Sequence, residues 1–138
     1  MRFLSFYRDD RRDAEPGLLE GERIVAIACD SLAEYIALPA GERASRRTDE
    51  TFALSAVRLA APVRPRKNVF CVGRNYLEHA KEGARAFGRE LDLPDVPTFF
   101  SKAPTAIAAP GATLEFERNV SPSFDWEAEL AIVIGALA

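Results

Sequence analysis

The chain has 138 residues and a formal net charge of −3; it is 48% hydrophobic and 28% charged. That composition is globular and not disordered, with room for one domain or for a small domain plus part of a second. The negative charge argues against nucleic acid as the main partner, because phosphate binding needs a basic face.

In chain order, residues 2–7 alternate apolar and polar side chains (Phe3, Ser5 and Tyr7 against Leu4 and Phe6), which predicts a strand. Residues 9–17 read as a charged turn closed by Pro16-Gly17. Residues 22–29 (ERIVAIAC) are rich in β-branched side chains and predict a second strand. Ser31 and Glu34 have the spacing of a capping box, so a short helix is expected to run to Leu38, stopped by Pro39 and Gly41. Residues 40–50 (AGERASRRTDE) are polar and read as an exposed loop.

The composition changes near residue 55. Residues 57–63 read as a strand and linker, and residues 68–72 (NVFCV) as a short buried strand ended by Gly73. Asn75 can cap a helix with Glu78 as its box partner, and Gly83 suits the stop. Residues 84–97 mix apolar and charged side chains and read as a short helix or a lid. Residues 98–101 and 112–116 are strand candidates, with a turn between Pro104 and Pro110.

The basic clusters Arg43, Arg46, Arg47 and Arg64-Pro65-Arg66-Lys67 sit among polar or turn residues and read as solvated loops. Cys29 and Cys71 lack a CxxC spacing and have apolar neighbours, so both are expected to be small buried hydrophobes. The first residues carry no secretory h-region and no apolar stretch approaches the length of a bilayer span, which leads to an expectation of a cytoplasmic protein with no membrane partner.

Three groups of residues can carry chemistry. Near the C-terminus, Asp125-Trp126-Glu127-Ala128-Glu129 leads into the apolar run LAIVIG. On a strand, Glu127 and Glu129 share a face with Cα atoms roughly 6.6 Å apart, and a bound divalent cation relieves the repulsion of two such carboxylates. Two exposed charges on a half-solvated strand are the alternative, although the apolar run predicts burial on both faces. His79 is the single histidine, and on a helix it shares a face with Glu82, three residues on. A carboxylate beside an imidazole suits a general base acting on water; a surface pair on an amphipathic helix has the same spacing. Lys102, at a strand end, and Arg74, between the Gly73 turn and the helix, are either solvated or anchors for an acidic substrate. GxGxxG, P-loop and GxSxG patterns are absent.

The segments NVFCVGRNYLEHAKE, PTFFSKAPTAIAAPG and FDWEAELAIVIG occur in that order. The set resembles the fumarylacetoacetate hydrolase family, whose members show Gly-x-Asn-Tyr-x-x-His-x-x-Glu, Pro-x-x-Phe-x-Lys-x-Pro and Glu-x-Glu-Leu-x-x-Val-Ile-Gly stretches. The resemblance covers roughly residues 57–135. It implies an α+β, β-rich architecture: a small N-terminal α/β domain over residues 1–56, then a catalytic domain with a rolled mixed sheet over residues 57–138. It further implies a divalent ion, usually Mg²⁺ with Mn²⁺ or Ca²⁺ as substitutes, and carbon–carbon bond cleavage in β-diketo or acylpyruvate-type acids. Some relatives isomerise or decarboxylate such acids instead.

By position in the motifs, Glu127 and Glu129 match metal carboxylates, His79 and Glu82 match the acid/base pair, and Arg74 and Lys102 lie in segments lining the site. A small acidic metabolite and a homodimer in the complete protein are the implied partners. Family members supply a further metal-binding aspartate and more sheet after the Val-Ile-Gly strand, where this sequence has Ala136-Leu137-Ala138. The expectation is therefore a catalytic domain truncated on its C-terminal side. A fragment without catalysis and a binding module for acidic metabolites are the competing readings.

Overall fold

A computed structural model describes residues 1–8, 11–93, 95–123 and 126–135. Its architecture is α+β and rich in strand. The contacts divide the chain into two compact units, one of Met1–Arg64 with Ala108–Ala138 and one of Pro65–Ile107.

The first unit is built on a five-stranded antiparallel sheet in the order β4-β3-β2-β1-β5. Its strands are β1 (Arg2–Tyr7), β2 (Glu15–Glu20), β3 (Arg23–Ile27), β4 (Arg47–Ala53) and β5 (Arg58–Ala60). Alternation along β1 works as the sequence predicts: Phe3 lies opposite Leu18, and Leu18 opposite Val25, so the three share one face. Over that face packs α1 (Leu32–Ala37), with Leu32 and Tyr35 joining Leu18, Val25 and Ile27 in a buried cluster. The opposite face carries Phe6 and Ile24, both 0% exposed.

Several expectations are corrected here. Pro16-Gly17 is not a turn but lies inside β2, and the turn is made by Gly21-Glu22 between β2 and β3. Turn-forming residue types are overridden because Gly17 fills a packing need. A Cβ there would come 2.5 Å from Ile24 Cγ2 and 3.1 Å from Phe6 Cε1. Gly17→Ala is therefore expected to destabilise the sheet by about 1–3 kcal/mol, the usual cost of overpacking a core, measured by urea unfolding. Asp9 and Asp10 of the expected turn lie outside the described residues.

Residues 40–50 are likewise not a loop. They form α2 (Ala40–Arg43), a 3₁₀ turn (Ala44–Arg46) and the start of β4, an edge strand whose charged side chains suit exposure. Polarity signalled exposure correctly, but an exposed edge strand is polar too.

The Ser31 half of the expected capping box forms, while the Glu34 carboxylate takes the amide of Asp30 in place of that of Ser31. Ser31 Oγ accepts from the Glu34 amide at 3.1 Å, and Glu34 Oε2 accepts from the Asp30 amide at 2.8 Å. At the other end, the Arg43 guanidinium donates to the carbonyls of Leu38 (3.0 Å) and Ile36 (2.7 Å), which the helix leaves without amide partners.

The remainder of this unit, residues 108–123 and 126–135, has no strand among the described residues. The expected strands at 112–116 and over 130–135 do not form, and residues 136–138 of the expected run lie outside the described residues; Leu130, Ile132 and Ile134 are 81%, 79% and 81% exposed. An apolar run states a preference for extended backbone, but a strand exists only where another strand completes its ladder.

The second unit holds a two-stranded antiparallel sheet, β6 (Val69–Gly73) with β7 (Thr98–Lys102), and the helix α3 (Leu77–Ala86). The register pairs Val69 with Lys102 and Gly73 with Thr98. The Asn68 side-chain amide donates to Ser101 Oγ at 3.2 Å across the strands. Phe70 and Phe99 are exposed. Among the described residues, no helix is long and apolar enough to cross a membrane.

Candidate functional site

In the second unit, three of the expected site residues are set by one strand–turn–helix passage. β6 ends at Gly73, the chain turns through Arg74 and Asn75, and α3 begins after Tyr76. Arg74 is the one residue other than glycine with a positive φ among the described residues, at 54°. This left-handed conformation crowds a Cβ and is normally left to glycine, with Asn and Asp as the usual exceptions.

The expected capping box at Asn75 and Glu78 is not made. The N-cap position belongs to Tyr76, without a side-chain cap bond, and Glu78 pairs instead with Lys81 at 2.7 Å. Gly83 does not end the helix either. α3 continues one more turn and closes on Gly88, whose φ is 59°. The Gly88 amide donates to Arg85 O (3.2 Å) and the Arg89 amide to Ala84 O (2.9 Å), the paired bonds of a left-handed helix stop. A second glycine five residues on offered the same signal, and the helix closes there. Of residues 84–97, the first three thus belong to α3.

His79 and Glu82 lie on α3, three residues apart and both exposed, with Ala80 turned to the buried side. Among the described residues no hydrogen bond or ion pair joins them. Their shared face is the geometry that the H-x-x-E spacing predicts. Arg74 is exposed, and its Nη1 donates to the main-chain oxygen of Asp92 at 3.2 Å. Nothing in the sequence signals this bond, which spans 18 residues. Lys102 ends β7, exposed, with its ammonium 5.9 Å from the centre of the Phe100 ring.

In the first unit, Glu127 and Glu129 are exposed and outside any strand, so the period-two face that would align them is not formed among the described residues. Asp125, which precedes them, lies outside those residues. Among the described residues no group of three or more His, Cys, Asp or Glu gathers as a metal site. The donors themselves are of the right kind: two carboxylates in water-accessible backbone offer hard oxygen ligands to Mg²⁺, Mn²⁺ or Ca²⁺. Cys29 and Cys71 are free thiols and half-buried. Burial, aided by the negative charge of Glu34, pushes the Cys29 thiol up from its ordinary pKa and leaves it a poor nucleophile.

Residues 68–138 match the profile of the fumarylacetoacetate (FAA) hydrolase C-terminal family. The chain is 38% identical over 119 residues to the oxaloacetate tautomerase YisK of Bacillus subtilis (strain 168), covering 86% of this chain and 36% of the relative. It is 42% identical over 89 residues to Protein Rv2993c of Mycobacterium tuberculosis (strain ATCC 25618 / H37Rv), covering 64% of this chain and 30% of that protein. A solved fumarylacetoacetate hydrolase from psychrophilic Exiguobacterium antarcticum is 30% identical with a TM-score of 0.46, covering 77% of this chain and 36% of that one. The chain spans about a third of the length of the curated relatives it matches. With the family profile matched over more than half its residues, by the segment that holds all three motifs, this chain belongs to the fumarylacetoacetate hydrolase family.

Proposed function

We propose that the whole protein is a metal-dependent hydrolase that cleaves a carbon–carbon bond in small 2-oxo or β-diketo acids of the acylpyruvate type. The observation that carries this reading is the family match over residues 68–138, which contains the His79/Glu82, Lys102 and Glu127/Glu129 motifs in order. Glu127 and Glu129 would hold a divalent cation, Mg²⁺ in the first place. When bound, such a cation polarises a carbonyl and stabilises developing negative charge on oxygen.

His79 takes a proton from water, and Glu82 orients its imidazole. The water oxygen bonds to the distal carbonyl carbon. The carbon–carbon bond then breaks, and its electron pair passes into the enolate of the 2-oxo acid. His79 returns the proton to that enolate carbon, so the products are a carboxylic acid and a 2-oxo acid. Arg74 and Lys102 supply positive charge for the substrate's carboxylate.

The 38% identity to an oxaloacetate tautomerase over 86% of this chain favours a second reading. There the base removes a proton from carbon, an oxygen of the same molecule is protonated, and no water adds. Both readings need one base and a stabilised enolate, and they part on whether water reaches the carbonyl.

An assay of the whole protein with Mg²⁺ separates them. Pyruvate release from acetylpyruvate, abolished by a chelator, is the expected result. Conversion of enol to keto oxaloacetate without bond cleavage would hand the assignment to the second reading. Neither activity would remove both.

A further inference from the structure

We propose that the cavity at the end of β3 binds a small zwitterion of the α-amino acid type, with Arg46 taking its carboxylate and Asp30 its ammonium. The cavity has a volume of about 430 Å³, within the usual range of small-molecule sites. It lies in the first unit, and Ala26, Ile27 and Thr48 are among the residues that line it. An irregularity of the sheet stands beside it: the pairing of β3 with β4 shifts register between Val25 and Ile27. Thr48 Oγ1 donates to the Ala26 carbonyl there, at 3.1 Å. Bulges of this kind re-aim side chains and often border sites.

The lining holds three arginines and four carboxylates, which disfavours a polyanion and suits a molecule with one charge of each sign. Most of these charges are spent on one another or on the backbone. Arg8 meets Glu15 and Glu50, Arg11 meets Glu15, and Glu34 accepts from the Asp30 amide. Arg46 and Asp30 remain, and neither side chain has an ion pair or hydrogen bond among the described residues. Arg46 is the odd member of its basic cluster: Arg43 donates to the carbonyls of Leu38 and Ile36, and Arg47 meets Glu20. A half-buried guanidinium with no carboxylate keeps its five donors open to an anion.

Arg46 and Asp30 do not pair with each other, so both charges are open to a molecule lying between them. The Cys29 thiol senses both: burial and Glu34 raise its pKa, Arg46 lowers it and Asp30 raises it. The backbone at each position is tied down before a ligand arrives. The Ala28 amide donates to the Arg46 carbonyl at 2.8 Å, the Cys29 amide to the Ile27 carbonyl at 2.9 Å, and the Asp30 amide to Glu34 Oε2 at 2.8 Å. Such preorganisation lowers the entropy lost on binding.

The test titrates the whole protein calorimetrically, in EDTA so that no amino acid is held by a metal ion. The twenty common L-amino acids are the probes, added singly. At least one with an uncharged side chain is expected to bind with a Kd below about 1 mM. Its deaminated acid and its decarboxylated amine, each keeping one charge, should bind at least about tenfold more weakly. In Arg46→Gln the amino acid is expected to bind no better than the amine, and in Asp30→Asn no better than the acid. Arg66→Gln, an equal change of charge at an exposed residue, should stay within about twofold of wild type. Neither cavity side chain has a described partner to lose, so each variant's unfolding midpoint should stay within about 2 °C of wild type.

A Kd above that limit for all twenty amino acids overturns the proposal. So does an acid or amine that binds wild type as tightly as the amino acid, or a preference for the amino acid that survives both substitutions. An equal loss in Arg66→Gln would mean a general charge effect and overturns it too. A larger fall in the midpoint of either cavity variant assigns that residue to the fold and removes its role in binding.

Discussion

His79→Ala in the whole protein is expected to lower kcat by at least about a hundredfold, the usual scale of general-base catalysis. His79 is the single imidazole in this sequence. It stands on the exposed face of a ten-residue helix whose far end is closed by the Gly88 stop, so the alanine change removes the ring without disturbing packing. Helix propensity favours alanine over histidine by a few tenths of a kcal/mol, and the fold should be kept.

Glu82→Gln is expected to cost less, because a residue that orients the ring leaves the base itself in place; the two effects will not add. KM should change little in both. Steady-state pyruvate release from acetylpyruvate, with circular dichroism as the fold control, measures all of this. Near-normal turnover in His79→Ala would leave His79 and Glu82 a solvated pair on a surface helix.

Glu127→Gln with Glu129→Gln is expected to weaken Mn²⁺ binding to the whole protein by about two orders of magnitude or more, beyond the 10–100-fold typical of losing an outer-shell partner. Glutamine keeps the size and shape of each side chain and removes the charge, and a hard divalent cation depends on that charge. Since both residues are exposed here, neither substitution buries a polar group or opens a cavity. Titration calorimetry with Mn²⁺ reads the effect directly, without an assay for turnover. Unchanged affinity would take both carboxylates out of the metal site.

What could be read from residues alone was local. The alternation in β1, the β-branched run of β3 and the Ser31/Glu34 cap each state their structure within a few residues, because a pleat or a helix end is satisfied by near neighbours. The spacing of His79 and Glu82 placed them on one helix face for the same reason. The family followed from three motifs in order, which is also a property of sequence.

Tertiary structure decided whatever depends on a distant partner. Pro16-Gly17 entered a strand because Phe6 and Ile24 leave no room for a side chain at residue 17. Polar residues 47–50 became an edge strand because β3 lay beside them to complete a ladder. Residues 130–135, apolar enough to predict a buried strand, stay outside any strand and largely exposed because no described strand pairs with them. Arg74 took a left-handed backbone that its residue type disfavours, and found Asp92 across 18 positions of sequence. Periodicity and propensity report what a segment prefers, while ladders, close approaches and strained turns are settled by what the rest of the chain brings to it.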